Sequence, residues 1–416
     1  MGHPVSSDNL PLQDLSELGA DAVVEQVLAR NPSLQEMTAA WQAAVARYPQ
    51  VTSLDDPMFG ATIGPETIAP DDNGVEFAYR LEISQKFPWP GKRRLRGDAA
   101  TAEAHAASND IDDMRLQLVE SAKTAFYDYY LAERALAVSD ETLERLEEFR
   151  KDAAALYRTP PKDRKVSMQE VYQADVEIGR QHQRRLTLER MRQVAVARIN
   201  TLMHRAPNAP LPRPPQMIAV EVALPDVNAL VGAAQAQRPD LQALANRLAA
   251  DEAALALACK DYRPDFETFF MYDRFMGNTT DNRDLATMVG VRMNLPIQAE
   301  RRCGAVAEAQ ARIAQRRAAL DHRMDEVSFQ VSEAYAQAVE SQRAVRLYED
   351  KILPDAELNV KTARSDYKTG QVPATSVVEA ERARLDLFDR YYEAVADYHR
   401  RLATLERTTG GSLARD

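Results

Sequence analysis

The sequence predicts a mainly α-helical chain with a small β part, built from one unit used twice. Three observations carry this. Glycine supplies only 15 of 416 residues and aromatics 7%, while the helix formers Ala, Leu, Glu, Gln and Arg dominate. Segments roughly 207 to 210 residues apart resemble one another along the whole chain, the mark of a duplicated unit. Small and apolar residues also recur in alternating steps of four and three over many turns, as in a coiled-coil seam. With 45% hydrophobic and 28% charged residues the chain has the composition of a folded protein. Fifty-two Lys and Arg against 63 Asp and Glu leave a net charge of -11, which argues against nucleic-acid binding by phosphate neutralisation.

Residues 1–20 are an N-terminal extension. Its start, Met1-Gly2-His3-Pro4, has neither a basic nor an apolar signal region, so no secretory signal is expected in it. The first repeat, residues 21–205, reads as a helix (21–50), strands at about 58–64 and 77–87, a long helix (91–158), a tip turn at about 159–165 and a helix (166–205). Residues 206–225 hold six prolines and form a linker. The second repeat, residues 226–409, reads as a helix (226–262), strands at about 265–275 and 285–295, a long helix (301–368), a tip turn at about 369–374 and a helix (375–409). A tail, 410–416, follows.

The echoes are specific. Arg30-Asn31-Pro32-Ser33-Leu34 returns as Arg238-Pro239-Asp240-Leu241, Phe87-Pro88-Trp89 as Leu295-Pro296-Ile297, and Tyr157-Arg158-Thr159 as Tyr367-Lys368-Thr369. The seam Leu118, Ala122, Ala125, Tyr129, Ala132, Leu136, Ser139, Leu143 returns as Val327, Val331, Ala334, Ala338, Ser341, Val345, Tyr348, Ile352. An unbroken helix from Gly91 to Arg158 would be about 100 Å long, too long for a compact globule. The two shorter helices of each repeat together match its long one and could stack end to end against it.

The strands alternate. Phe77, Tyr79, Leu81, Ile83 and Phe87 interleave with Ala78, Arg80, Glu82, Ser84 and Lys86; Val289, Val291 and Met293 interleave with Met288, Gly290, Arg292 and Asn294. This suits a membrane-barrel strand, lipid on one face and water on the other, and equally a half-buried sheet of a water-soluble protein. Four strands cannot close a barrel alone, so closure would require oligomerisation. No run of eighteen apolar residues exists, which excludes a membrane-spanning helix and says nothing against a barrel.

The duplication, Leu28-Ala29-Arg30-Asn31-Pro32, Gln85-Lys86-Phe87-Pro88-Trp89-Pro90-Gly91-Lys92-Arg93 and Tyr367-Lys368-Thr369-Gly370 together resemble the TolC-like outer-membrane factor family over nearly the whole chain. The Pro-Trp-Pro-Gly-Lys run is similar to the CzcC/CusC-like branch serving heavy-metal resistance-nodulation-division pumps. The resemblance implies a homotrimer whose twelve-stranded outer-membrane β-barrel, four strands per chain, continues into a long α-helical coiled-coil barrel in the periplasm. It implies a passive exit duct, lodged in outer-membrane lipid, for heavy-metal cations delivered by an inner-membrane pump and a periplasmic adaptor. Drug efflux, type I secretion and a soluble periplasmic coiled-coil scaffold are the alternatives.

The resemblance also implies site residues. Tyr157, Arg158, Thr159, Tyr367, Lys368, Thr369, Gly370 and Gln371 fall at the periplasmic tip that docks the adaptor. Tyr367, Ser376 and Glu379 fall at the tip gate, where Val372 replaces a family arginine and Ser376 an aspartate. Phe77, Tyr79, Leu81, Ile83, Phe87, Val289, Val291 and Met293 would face lipid. Gly370 is expected to cap its helix in the left-handed conformation. With Asp265 roughly opposite Leu295, Cys259 and Cys303 fall nearly opposite one another at the foot of the barrel, where a disulfide between them is expected. The six histidines and the methionines form no chelating cluster, and no Gly-rich phosphate loop, G-x-S-x-G or H-E-x-x-H occurs. No catalytic residue, metal site or cofactor is therefore expected.

Overall fold

The computed structural model describes residues 17–64, 75–159, 167–220, 224–277 and 286–412. The expected first tip turn, with Pro160 to Lys165, lies outside the described residues, as do residues 1–16 and the side chain of Phe77. The order is α1 (Ala20–Arg30), α2 (Pro32–Thr52), β1 (Met58–Gly64), β2 (Val75–Phe87), α3 (Lys92–Arg158) and α4 (Met168–Leu202), then α5 (Val227–Gln237), α6 (Pro239–Lys260), β3 (Phe266–Gly277), β4 (Ala286–Met293), α7 (Ala299–Leu347), a π-helical turn (Tyr348–Ile352), α8 (Leu353–Thr369) and α9 (Ala374–Thr409).

Three helices read as continuous are broken, each at a proline. Asn31 and Arg238 leave the helical region with ψ of 125°. Pro32 and Pro239 follow them, and a proline pushes its predecessor into extended backbone. The breaks are tied down in parallel ways: Asn31 Nδ2 donates to Leu202 O at 2.9 Å, and Arg238 Nη1 to Thr408 O at 3.2 Å. The third break is the π-helical turn, which directly precedes α8 and its Pro354. Lacking an N–H, Pro354 leaves the Asp350 carbonyl without its helical donor, and the ladder widens.

The chain forms two compact units. One holds residues 37–111 and 240–323, with the sheet and ion pairs such as Arg247–Asp110 at 2.5 Å and Arg316–Asp251 at 3.1 Å between helices. The other holds residues 17–36, 112–239 and 324–412 of the described chain. Its core packs Leu18, Val23 and Val27 against Leu118, Ala122, Ala125 and Phe126 of α3 and Ile199 of α4. Fully burying each Val, Leu or Ile stabilises by about 1.5–3 kcal/mol. In both seams the small residues are buried, Ala122 and Ala125 in one and Val327, Val331 and Ala338 in the other. Small side chains there let helix backbones approach closely.

Candidate functional site

The sheet runs β1-β2-β3-β4, antiparallel throughout, with β1 and β4 at its edges among the described residues. Register decides which side chains share a face, because successive residues point to opposite sides. Ile83 pairs with Phe59 and Phe270, and Phe270 with Val289, so one row crosses all four strands. All four are exposed, Val289 at 79% and Phe59 at 70%. Leu81, Phe87, Val291 and Met293 share that face and are exposed too, and Tyr79 stacks on Tyr272 with ring centroids 6.1 Å apart.

The opposite face is charged and ion-paired. Arg80 grips Asp273 through two bonds, of 2.7 and 2.8 Å, and Arg292 donates to Glu82 at 2.5 Å. Arg292 also lies 4.3 Å from the centroid of the Phe269 ring. That ring covers Gly290, where any Cβ would collide with it. The sheet thus has one exposed apolar face and an opposite face that carries ion pairs.

The Pro88-Trp89-Pro90-Gly91-Lys92-Arg93 run forms a knot where the strands meet helices. Gly91 takes φ +91°, and a side chain there would meet Lys260, whose Nζ donates to Pro90 O at 3.1 Å. Trp89 N donates to Asp265 Oδ1 at 2.7 Å, and its ring stacks on Phe266 at 5.7 Å. Lys92, 3% exposed, bridges Asp261 and Asp265, each at 3.0 Å. A buried ammonium needs such pairing to stay charged.

One expectation is corrected here. Cys259 and Cys303 are both free and exposed, not bridged. The strand pairing sets Phe266 opposite Met293 and Asp265 beside Asn294, an index sum about three short of the register that would align the cysteines, and each lies on its own helix beyond the strands. Cys303 Sγ instead lies 3.2 Å from the Tyr262 hydroxyl.

At the α8–α9 turn, Gly370 has φ +82°. Its N–H donates to Tyr367 O at 3.1 Å and that of Gln371 to Asp366 O at 2.8 Å, the paired bonds of a Schellman cap. Lys368 is ion-paired with Asp152 at 3.2 Å, and Tyr157, Arg158, Thr159, Thr369 and Gln371 are exposed. Tyr367 differs from its neighbours. It is 1% exposed, packs edge-on against Phe149 and donates its hydroxyl to Glu170 Oε2 at 2.9 Å, which sets it inside the hairpin packing rather than on a docking surface. Glu170 also closes the capping box of α4 with Ser167. Glu379 is exposed in a groove of about 340 Å³ with Tyr172, Val176, Arg180, Val378 and Arg382. Glu177 bonds to Arg382 and, with help from Glu379, holds its guanidinium above the ordinary arginine value. Ser376 is half-buried, its N–H donating to Pro373 O at 3.1 Å.

Sequence reasoning missed an ionic layer joining α3, α8 and α9. Arg364 places two bonds, of 3.0 and 2.7 Å, on one oxygen of Glu381, which is 1% exposed. The same guanidinium reaches Glu148 at 3.0 Å and Arg145 O at 2.9 Å. Arg384, 2% exposed, bonds to Glu357 at 2.5 Å and Glu141 at 2.8 Å and lies over Phe388. The one sequence signal was Glu381 and Arg384 one turn apart on an otherwise apolar stripe of α9.

The fold, mainly helical with a small antiparallel sheet, is that of TolC-like outer-membrane channels. Residues 230–411 match the model of the family described as outer membrane efflux protein. Among solved structures, the outer-membrane channel OprN superposes with a TM-score of 0.80 at 20% identity, covering 95% of this chain and 90% of that one. CusC superposes at 0.79 with 15% identity, covering 94% and 92%. The outer membrane protein VceC of Vibrio cholerae superposes at 0.77 with 19% identity, covering 95% and 97%. No curated protein matches the chain. Channels of this family are transport ducts and not enzymes.

Proposed function

We propose that the chain is one third of an outer-membrane exit duct of a tripartite efflux pump. The observation that carries this reading is the two-faced, open-edged sheet: four strands with an exposed apolar row across all of them and ion pairs behind. Three copies joined edge to edge make a closed twelve-stranded barrel, with lipid against Leu81, Ile83, Phe270 and Val289 and water against Arg80, Asp273, Glu82 and Arg292. Tyr172, Val176, Leu186 and Val194 of α4 are 57–68% exposed and supply apolar surface for the same trimer. The exposed tip residues Tyr157, Arg158, Lys368 and Gln371 dock a periplasmic adaptor that links the duct to an inner-membrane pump, and Tyr367, Ser376 and Glu379 govern its opening.

Heavy-metal cations are the preferred cargo, on the strength of the Pro88-to-Lys92 run. A second reading, organic drugs, is favoured by Arg180 and Arg382, which share the groove of Glu379 and offset the acidic charge that would concentrate cations there. Extraction that depends on detergent, a trimeric mass and single-channel conductance in a planar bilayer are expected. A water-soluble monomer without conductance would overturn the duct. Deleting the gene and plating on divalent metals, copper, silver and drugs separates the cargoes, since sensitivity to drugs alone rejects the metal reading.

A further inference from the structure

The apolar face of the sheet ends at its foot in the row Phe87, Phe266 and Met293, which pair in register. Leu295, 70% exposed, follows Met293 beyond the end of β4. The Trp89 ring stacks on Phe266, which sets the indole on that same face. The Arg263 guanidinium lies 5.9 Å from the centroid of the indole, within reach of a cation–π contact. Arg263 is exposed, and among the described residues no carboxylate pairs with it. The acids two residues to either side are engaged elsewhere: Asp261 and Asp265 both hold Lys92, and Asp265 also accepts the Trp89 N–H. A second cation meets the same turn, since Lys260 Nζ donates to Pro90 O at 3.1 Å and Arg263 N to Lys260 O at 2.9 Å. An ammonium carries three donors, so that one bond leaves Lys260 with others. Past the last apolar row therefore come an indole and two cations without a carboxylate partner. A phospholipid offers the matching surfaces, acyl chains that end in an ester region and a phosphate.

We propose that Trp89, Arg263 and Lys260 form a headgroup site for an acidic phospholipid whose acyl chains run along Phe87, Phe266, Met293 and Leu295. Arg263 takes the phosphate oxygens through its forked N–H groups, and Lys260 adds a point charge. Trp89 supports the guanidinium at the boundary between hydrocarbon and water, where an indole is at home. An acidic lipid is selected over a zwitterionic one, because the ammonium of a zwitterionic headgroup would be repelled by both cations. The site exists only if the apolar face meets lipid, as the duct reading requires.

Trp41 and Trp89 are the only tryptophans, so Trp41→Phe leaves Trp89 as the reporter. The full Trp41→Phe chain is refolded into vesicles of phosphatidylcholine and phosphatidylglycerol, with one lipid or the other brominated on its acyl chains close to the glycerol. Quenching of Trp89 is then read across the lipid ratio, with trimeric mass and circular dichroism checked for every variant. One cation beside an anionic lipid is worth about fivefold, so phosphatidylglycerol is expected beside Trp89 at least about fivefold more tightly than phosphatidylcholine. Arg263→Gln is expected to cut that preference by about fivefold and Lys260→Gln by several-fold. Arg263→Lys, which keeps the charge, is expected to hold most of it. Arg96→Gln removes the same charge from an exposed position of α3 and is expected to leave the preference as it was. Equal quenching by the two lipids overturns the site and leaves the sheet in lipid. A preference that Arg96→Gln lowers as much as Arg263→Gln also overturns it, since net charge then accounts for the effect. Quenching by neither lipid overturns the site and the duct reading together.

Discussion

Leu81→Arg discriminates between a lipid-facing and a water-facing sheet by the sign of its effect. Leu81 is the seventh of thirteen residues in β2, on the exposed apolar face in the row of Ala61, Tyr272 and Thr287. If that face meets hydrocarbon, arginine near the bilayer midplane costs about 2–4 kcal/mol per chain. A trimer carries three copies, so the assembled barrel loses roughly 6–12 kcal/mol, comparable to the whole stability of a typical domain. Leu81 is 38% exposed, and in a water-soluble scaffold the same change stays within about 0.5 kcal/mol of neutral. The control is Met288→Arg, on the ion-paired face and 42% exposed, where a channel wall tolerates charge. The assay is refolding into lipid vesicles followed by urea extraction, scored as the fraction of chain that stays membrane-bound and trimeric. Leu81→Arg is expected to abolish that fraction and Met288→Arg to leave most of it. Equal behaviour of the two variants would refute the assignment of faces.

Arg364→Met strips the cation from Glu381, which is 1% exposed; breaking a buried pair costs about 3–5 kcal/mol, so amide hydrogen exchange across α8 and α9 should speed by about two to four powers of ten, and a change below about threefold would dismiss the layer as decoration. Tyr367→Phe removes the bond to Glu170, a charged acceptor and hence about 1.5–3 kcal/mol; resting single-channel conductance is expected to rise, and an unchanged closed state would remove Tyr367 from the gate. Burial, the largest influence on Asp389, raises its carboxyl above the ordinary value despite Arg184. A raised folded value means stability present below the unfolded value of about 4 and lost as pH rises through the raised one. The thermal midpoint of Asp389→Asn should therefore gain on the parent as pH climbs from about 3 to 7, and a flat difference would contradict it.

How much of this was legible follows from the range of each interaction. Strand alternation is a local pattern, so the two faces of β2 and β4 could be written down from residues 77–87 and 285–295 before any pairing was known. Gly370 was legible for the same reason, a glycine just past a helical run. The prolines at 32, 239 and 354 are equally visible, yet the periodic pattern runs through them and predicts continuous helices. A coiled-coil period tells which side chains face inward but not that a following proline forces Asn31 and Arg238 into extended backbone or that the missing amide of Pro354 opens the ladder at Tyr348–Ile352.

The ionic layer was invisible for a different reason. Arg364 and Glu381 are 17 residues apart across a turn, while Arg384 and Glu141 are 243 apart, and nothing in either neighbourhood selects the partner. The layer also explains a residue choice that periodicity would reject. Glu381 and Arg384 stand where α9 faces inward, beside Val377, Val378 and Leu385. Apolar side chains there would pack at no desolvation cost, so the charged ones make sense where a helix must keep its register against α3 and α8 and still part from them. A greasy seam slides and re-forms in many registers, whereas Arg364 and Arg384 find their carboxylates in one. If the chain is the proposed duct with an opening tip, that favours two defined states over a continuum, and it places the discrimination in the layer beside the proposed gate residues Tyr367, Ser376 and Glu379.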